Sequence, residues 1–215
     1  MIPLNSEYLK WFKEIEKTMW AFYRLFDDLC SLCAVKTIDQ TAGAVRDKKK
    51  SWCCCMIDDQ IHDNWQSLNP IQCRIDPKWH EKLKQEKEIS REKEDLKIRR
   101  MPGNGPCPAL GTKGCLIKQY RPITCTTQLC EKMLFVLGET GVIKKTRHAP
   151  LQIEDIISLP NILPDLYGVR RNKKVNKEEV ADYIKAVQEL RDKFRRIDPE
   201  VKKKLIVQSI KIFME

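Results

Sequence analysis

The chain has 215 residues, of which 42% are hydrophobic and 33% charged, with ten cysteines and a formal net charge of +10. A chain of this length can bury a hydrophobic core without cross-links, and its composition excludes a disordered protein. No apolar stretch reaches the ~18 uncharged residues that a transmembrane helix needs, so no membrane association is predicted. The first residues, from Met1 to Glu7, lack the basic and apolar regions of a signal peptide, although a mature form after signal removal would look the same.

The first predicted element is a long amphipathic helix from Tyr8 to Cys33, which Asn5 or Ser6 would cap. Its apolar residues recur at spacings of three and four and form one stripe. We interpret this stripe as ordinary core. It contains Leu9, Phe12, Ile15, Met19, Phe22, Leu25, Phe26 and Leu29.

The middle of the chain is more polar. A loop is predicted from Thr37 to Ser51, before the run Trp52-Cys53-Cys54-Cys55. Mixed charges from Asp76 to Arg100 favour an exposed helix. From Met101 to Cys130, frequent Gly and Pro predict an irregular segment, and a bound metal would supply the free energy to order it.

Shorter elements follow. We predict a helix from Leu129 to Leu137 that ends at Gly138, then a strand or hairpin arm over residues 141–145, and a helix from Gln152 to Leu159. Residues Asn176 to Arg196 form a predicted helix with Asn176 as its cap. A last helix begins at Asp198-Pro199-Glu200.

The ten cysteines fall into two groups. The first is C-x2-C at Cys30 and Cys33 with the triple at 53–55, and the second is C-x7-C-x9-C-x4-C from Cys107 to Cys130. In the cytoplasm, where thiols are kept reduced, such clustering favours metal binding or redox chemistry, whereas a secreted protein would form disulfides. We favour the cytoplasm. Cys73 stands alone and is interpreted as a bystander.

Two kinds of metal site remain open. Structural zinc takes four Cys or His ligands in compact knuckles, but the chain has three histidines and no C-x2-C…C-x2-C repeat. Irregularly spaced thiolates suit an iron–sulfur cluster, whose irons accept ligands from distant loops. We therefore favour an iron–sulfur cluster, with 4Fe-4S as the expected type, over zinc.

The segment from Cys107 to Cys125 resembles the C-P-x-L…G-x-C-x-I-Y…R-P-x-x-C motif of the YkgJ-type cysteine-cluster family, which is described as iron- or zinc-chelating. The matching residues are Cys107, Pro108, Leu110, Cys115, Ile117, Arg121, Pro122 and Cys125. Cys54-Cys55, or Cys53-Cys54, resembles the Cys-Cys pair of the family's upstream motif. That motif is compact, whereas here 19 residues separate Cys33 from Cys53. Flagellin lysine N-methylases are similar in carrying a related module with an iron–sulfur cluster.

This resemblance and the clustering together give a predicted ligand set. It comprises Cys107, Cys115, Cys125 and one or both of Cys54 and Cys55, followed by Cys130, Cys33 and Cys30. Arg121 would offset the negative charge of a thiolate cluster, or else pair with a carboxylate in a turn.

We expect a mainly α fold with little β, in which helices from both ends pack around an irregular cysteine-rich region. Residues 1–168 would form the metal-binding domain, and residues 169–215 a basic helical pair packed on it.

Three functions remain open, and the sequence leaves it undecided whether the chain is an enzyme. The first is a cluster-binding protein with a redox or cluster-supported role. The second is a cluster-dependent, methyltransferase-like enzyme, with a reactive group near Asp58, Asp59 and His62. The third is a zinc-stabilised module that binds an acidic protein or, less favoured, nucleic acid through its last 46 residues, which hold 14 Lys and Arg against 8 Asp and Glu.

Overall fold

The computed structural model describes residues 6–42, 110–111, 114–115, 128–145, 151–159, 162 and 174–214. The helices in these ranges are α1 (Ser6–Tyr23), a 3-10 turn (Arg24–Phe26), α2 (Asp27–Ala42), α3 (Glu131–Glu139), α4 (Ile153–Ile157), α5 (Lys177–Arg195) and α6 (Pro199–Met214). The strands are β1 (Leu110–Gly111), β2 (Gly114–Cys115), β3 (Gln128–Leu129) and β4 (Leu151–Gln152). β1 pairs with β2 and β3 with β4, both antiparallel. The mainly helical fold with little β is confirmed.

Helices from both ends of the described chain form the core. α1 packs along α5, while α6 packs against α3 and α2. The predicted stripe faces inward, with Ile15, Met19 and Phe22 fully buried. Phe26 stacks on Phe194 of α5, with ring centroids 4.9 Å apart and planes at 17°. Burial of one apolar stripe per helix is what holds these helices together.

The N-terminal helical region extends further than predicted. α2 continues past Cys33 to Ala42, so the loop predicted from Thr37 is wrong over its first six residues. Polarity suggested that loop, but residues 34–42 contain neither Gly nor Pro, and the next residue is Gly43. With no helix breaker in this stretch, the helix continues to the residue before that glycine.

α3 ends in a Schellman motif, which replaces the predicted strand over residues 141–145. The Val142 N–H donates to Leu137 O at 3.0 Å, and the Gly141 N–H to Gly138 O at 3.0 Å. Gly141 has φ of +69°, a conformation that glycine adopts without penalty. The predicted stop at Gly138 is wrong because this residue lies inside the helix. The backbone groups that a strand would need are already bonded to the last turn of α3.

A capping box begins α5, as the predicted cap at Asn176 required. The Asn176 side chain accepts a hydrogen bond from the Glu179 N–H at 2.8 Å, and the Glu179 carboxylate accepts one from the Asn176 N–H at 3.1 Å. α6 begins similarly, since the Asp198 carboxylate accepts from the Glu200 N–H at 2.7 Å and Pro199 occupies the first turn.

Asn176→Ala should lower the free energy of unfolding by about 1 kcal/mol, because the Glu179 N–H in the first turn of α5 loses its acceptor. Asn176→Asp is the matched control, since its carboxylate keeps the acceptor and should change stability little. Urea unfolding followed by circular dichroism measures both. Equal stability of the alanine variant and the wild type would contradict the capping geometry.

None of the described helices is both long and apolar enough to cross a lipid bilayer. The predicted helix from Asp76 to Arg100 lies outside the described residues. The division into residues 1–168 and 169–215 stays a prediction.

Candidate metal centre

Cys30 and Cys33 lie on α2, one helical turn apart. Residues three apart on an α-helix share one face, so the two thiols start from neighbouring positions. Cys33 is buried and Cys30 partly buried, and neither forms a disulfide. The pair therefore belongs to the inner surface of α2 and not to a turn after it.

The Cys33 thiol contacts the C-terminal end of α6. Its S–H donates to the Met214 thioether, with Sγ and Sδ 3.5 Å apart. Both residues are almost fully buried, at 4% and 2% exposed. The Cys33 sulfur therefore lies in an apolar, sulfur-rich environment where α2 and α6 meet.

A small hairpin brings a third cysteine to the same helix. β1 and β2 pair with Leu110 opposite Cys115 and Gly111 opposite Gly114. β2 packs against α2. The segment predicted to be irregular therefore contains a short hairpin. The strand of this hairpin that ends at Cys115 packs against the helix that carries Cys30 and Cys33.

Cys130 occupies the N-cap position of α3, with extended backbone angles of φ −74° and ψ 161°. It is partly buried, is not in a disulfide and packs against the same core as Cys30. The N–H groups at a helix start favour a negatively charged group beside them, and a thiolate is one. Cys130 therefore has surroundings suited to a metal-binding thiolate.

The structure thus describes half of the predicted ligand set. Cys30, Cys33, Cys115 and Cys130 lie on elements that pack around α2 and α6, whereas the other predicted site residues, Cys54, Cys55, Cys107, Cys125 and Arg121, lie outside the described residues. So do Cys53, Cys73, Asp58, Asp59 and His62. Within the described ranges, no three His, Cys, Asp or Glu side chains are grouped as metal ligands.

A buried carboxylate–phenol pair was not predicted from the sequence. The Tyr183 hydroxyl donates to Glu154 Oε1 at 2.8 Å, and the residues are 1% and 4% exposed. Among the described residues, Glu154 Oε2 has no hydrogen-bond partner. Burial raises the pKa of Glu154, while its backbone and Tyr183 hydrogen bonds lower it. Burial, followed by the Glu154 charge, raises the pKa of Tyr183.

The outer face of α6 is basic and partly apolar. It exposes Lys203, Lys204 and Lys211 beside the exposed Val207 and Ile212. No aromatic side chain on this face is exposed among the described residues of α6. Such a face suits an acidic protein surface with an aliphatic centre better than stacked nucleobases.

Comparison of the chain with protein-family models, with curated proteins and with solved structures gives no match.

Proposed function

We propose that this chain binds an iron–sulfur cluster, or alternatively zinc, through cysteine thiolates, and that the cluster serves a redox or cluster-supported role in the cytoplasm. The main support is that cysteines from three separate parts of the chain lie on α2 or on elements close to it in the fold. These are the helix with Cys30 and Cys33, the hairpin that ends at Cys115, and the start of α3 at Cys130.

The chemistry of the donors fits this proposal. Cys30, Cys33 and Cys130 are thiols and not disulfides, and soft sulfur donors are what iron–sulfur clusters and zinc prefer. The resemblance of the segment from Cys107 to Cys125 to a cysteine-cluster family would add Cys107 and Cys125 as ligands. A bound cluster would supply reversible one-electron transfer, while the surrounding helices would exclude water from its sulfurs.

Metal analysis of protein purified without oxygen tests this proposal. We expect iron together with an equal amount of labile sulfide, and an absorption band at about 400 nm that weakens on reduction. Zinc without sulfide would replace the cluster with a zinc site. Protein with neither metal, and with all ten cysteines titrating as thiols or disulfides, would overturn the proposal.

Serine substitutions then separate ligands from bystanders. We expect Cys30→Ser, Cys115→Ser and Cys130→Ser each to lower the metal content per chain substantially, because a hydroxyl is a poor ligand for these metals. Cys73→Ser is the matched control and should keep the full metal content. Met214→Leu should also keep it, since Met214 contacts Cys33 as a packing partner. Loss of metal in Cys73→Ser, with full metal content in the Cys30, Cys115 and Cys130 variants, would contradict the assignment of these three cysteines as ligands.

The basic face of α6 favours one second candidate, a zinc-stabilised module that binds an acidic protein. Its exposed lysines give this face a positive potential that complements an acidic protein surface, and exposed aliphatic residues lie between them. Zinc in the purified protein, together with salt-sensitive binding of an acidic amphipathic peptide, would favour this function over the redox one. A cluster-dependent group-transfer enzyme remains the third candidate, and it would need a reactive group outside the described residues.

A further inference from the structure

Helix α4 is a small element that buries an acidic residue. It spans five residues, Ile153–Ile157, packs on α5 and follows β4, which pairs with β3. Ile153 and Glu154, at 0% and 4% exposed, are the residues that hold it against the core. Elements with so few buried side chains are the ones that open locally while the rest of a protein stays folded.

The chain leaves α4 in a strained conformation. Ser158, directly after the helix, has φ of +55°, in the left-handed region that residues other than glycine rarely adopt. The Leu159 N–H donates to Glu154 O at 3.2 Å and closes the last turn over this residue. The closed position of α4 therefore carries a local conformational cost that opening would remove.

Among the described residues, no cation compensates an ionised Glu154 carboxylate. Tyr183 of α5 donates to Oε1 at 2.8 Å, and Oε2 has no partner there. The other titratable groups nearby are Asp155 of α4 and Tyr23 of α1, which interacts electrostatically with Tyr183. β4 contributes no titratable residue. None of these groups carries a positive charge, and a buried, unpaired carboxylate is costly.

We propose that α4 is a pH-sensitive latch, closed over Tyr183 while Glu154 is protonated and opened locally when Glu154 ionises. The protonated carboxyl is neutral and stays buried beside the phenol. After ionisation, release of α4 returns the carboxylate to water, while α1, α5 and α6 keep their packing. Opening uncovers Tyr183 and Met19 of α1, whose sulfur is 3.8 Å from the hydroxyl. No predicted metal ligand takes part in the latch, so it goes beyond the proposed function.

One proton links the opening of α4 to pH. The closed form holds a proton that the open form releases, because burial raises the pKa of Glu154 above its usual value of 4.5. The ratio of open to closed α4 should therefore be lowest below pH 4.5. Above that pH it should rise about tenfold per pH unit, and it should level off once the pH exceeds the native pKa.

Hydrogen exchange of single backbone amides, measured by NMR from pH 5 to pH 8, tests the latch. The Leu159 N–H reports on α4, and the N–H of the fully buried Val187 on α5 reports on global unfolding. Each rate is divided by the intrinsic exchange rate at that pH, and the series is repeated in low concentrations of urea. Local opening exposes little surface, so its exchange hardly depends on urea, whereas exchange through global unfolding does.

We expect the wild-type Leu159 amide to exchange through an opening that urea hardly affects and that becomes more frequent as the pH rises. Glu154→Gln keeps the shape of the side chain without its titrating proton, so this dependence on pH should disappear. Glu189→Gln, the matched control on the exposed face of α5, should keep the wild-type dependence. Ser158→Gly should make opening rarer at every pH without changing its pH dependence, because glycine adopts this φ without strain.

Two results would overturn the latch. If the Leu159 amide showed the same urea dependence as the Val187 amide, α4 would open only when the whole protein unfolds. If wild-type opening did not change with pH, or changed equally in Glu154→Gln, Glu154 would not control it. The wild-type profile decides both points should Glu154→Gln fail to fold. Neither result affects the metal content, by which the proposed metal centre is tested separately.

Discussion

Phe26→Ala should lower the free energy of unfolding by about 3–5 kcal/mol, the largest effect that we expect from a single core substitution. Phe26 is fully buried between two aromatic rings, at 4.9 Å from the Phe194 centroid and 5.6 Å from the Phe22 centroid. Truncation leaves a cavity where the N-terminal helices meet α5. Since small domains are stable by only ~5–15 kcal/mol, much of the native state would be lost.

Two controls accompany this variant. Phe26→Leu keeps most of the volume and should cost less than about 1.5 kcal/mol. Leu32→Ala removes an apolar side chain from α2 that is 43% exposed, and it should cost far less than the core truncation. Denaturant unfolding with matched m-values measures all three. A cost below that of Leu32→Ala would contradict the stacking of Phe26 on Phe194 of α5.

The second large effect concerns pH and the Glu154–Tyr183 pair. Burial raises the pKa of Glu154 above its usual value of 4.5, so the native state keeps a proton that the unfolded state releases. Stability from this group is therefore fully present below pH 4.5 and is lost as the pH rises through the native pKa. Glu154→Gln should flatten the fall in stability between acidic and alkaline pH.

Tyr183→Phe should show the opposite dependence on pH. Without the hydroxyl, Glu154 Oε1 loses its 2.8 Å donor, which should cost about 1–3 kcal/mol, and the cost should grow as the pH rises and a larger fraction of the carboxyl is ionised. Urea unfolding from pH 5 to pH 8 measures both variants. If the free energy of unfolding changed with pH in the same way in wild type and in Glu154→Gln, the raised pKa of Glu154 in the native state would be contradicted.

Glu16 provides a control in the same pH range. Burial raises its pKa to about 7, while the neighbouring Lys13 lowers it. Its contribution to stability has the same sign as that of Glu154. The stability of Glu154→Gln should therefore still fall as the pH rises, because Glu16 is intact. Glu16→Gln should remove a separate part of that slope, and the double variant should remove both.

Local patterns predicted the helices well. The period of the apolar residues from Phe12 to Leu29 placed one stripe in the core, and Asn176 followed by Glu179 marked the start of α5. These features depend on neighbours three or four residues away, which a sequence displays directly.

The failures involve competition between signals or contacts between distant residues. Polarity after Cys33 suggested a loop, but no Gly or Pro interrupts the chain before Gly43, and the helix continues. Gly138 resembled a helix stop, yet Gly141 performs that role. Glu154 and Tyr183 are 29 residues apart, and no periodicity pairs a single carboxylate with a single phenol over that distance.

The packing of the two helical ends has a consequence for folding kinetics. Met19 and Tyr183, which are in contact, are 164 residues apart, and Cys33 and Met214 are 181 apart. Contacts between residues so far apart require large loops to close, and the entropy lost on closure is not offset until the apolar side chains are buried. Proteins rich in such contacts fold slowly. The thiols of Cys30, Cys33 and Cys130 should therefore stay accessible to solvent until these contacts form, and refolding in vitro should need a reductant to prevent their oxidation.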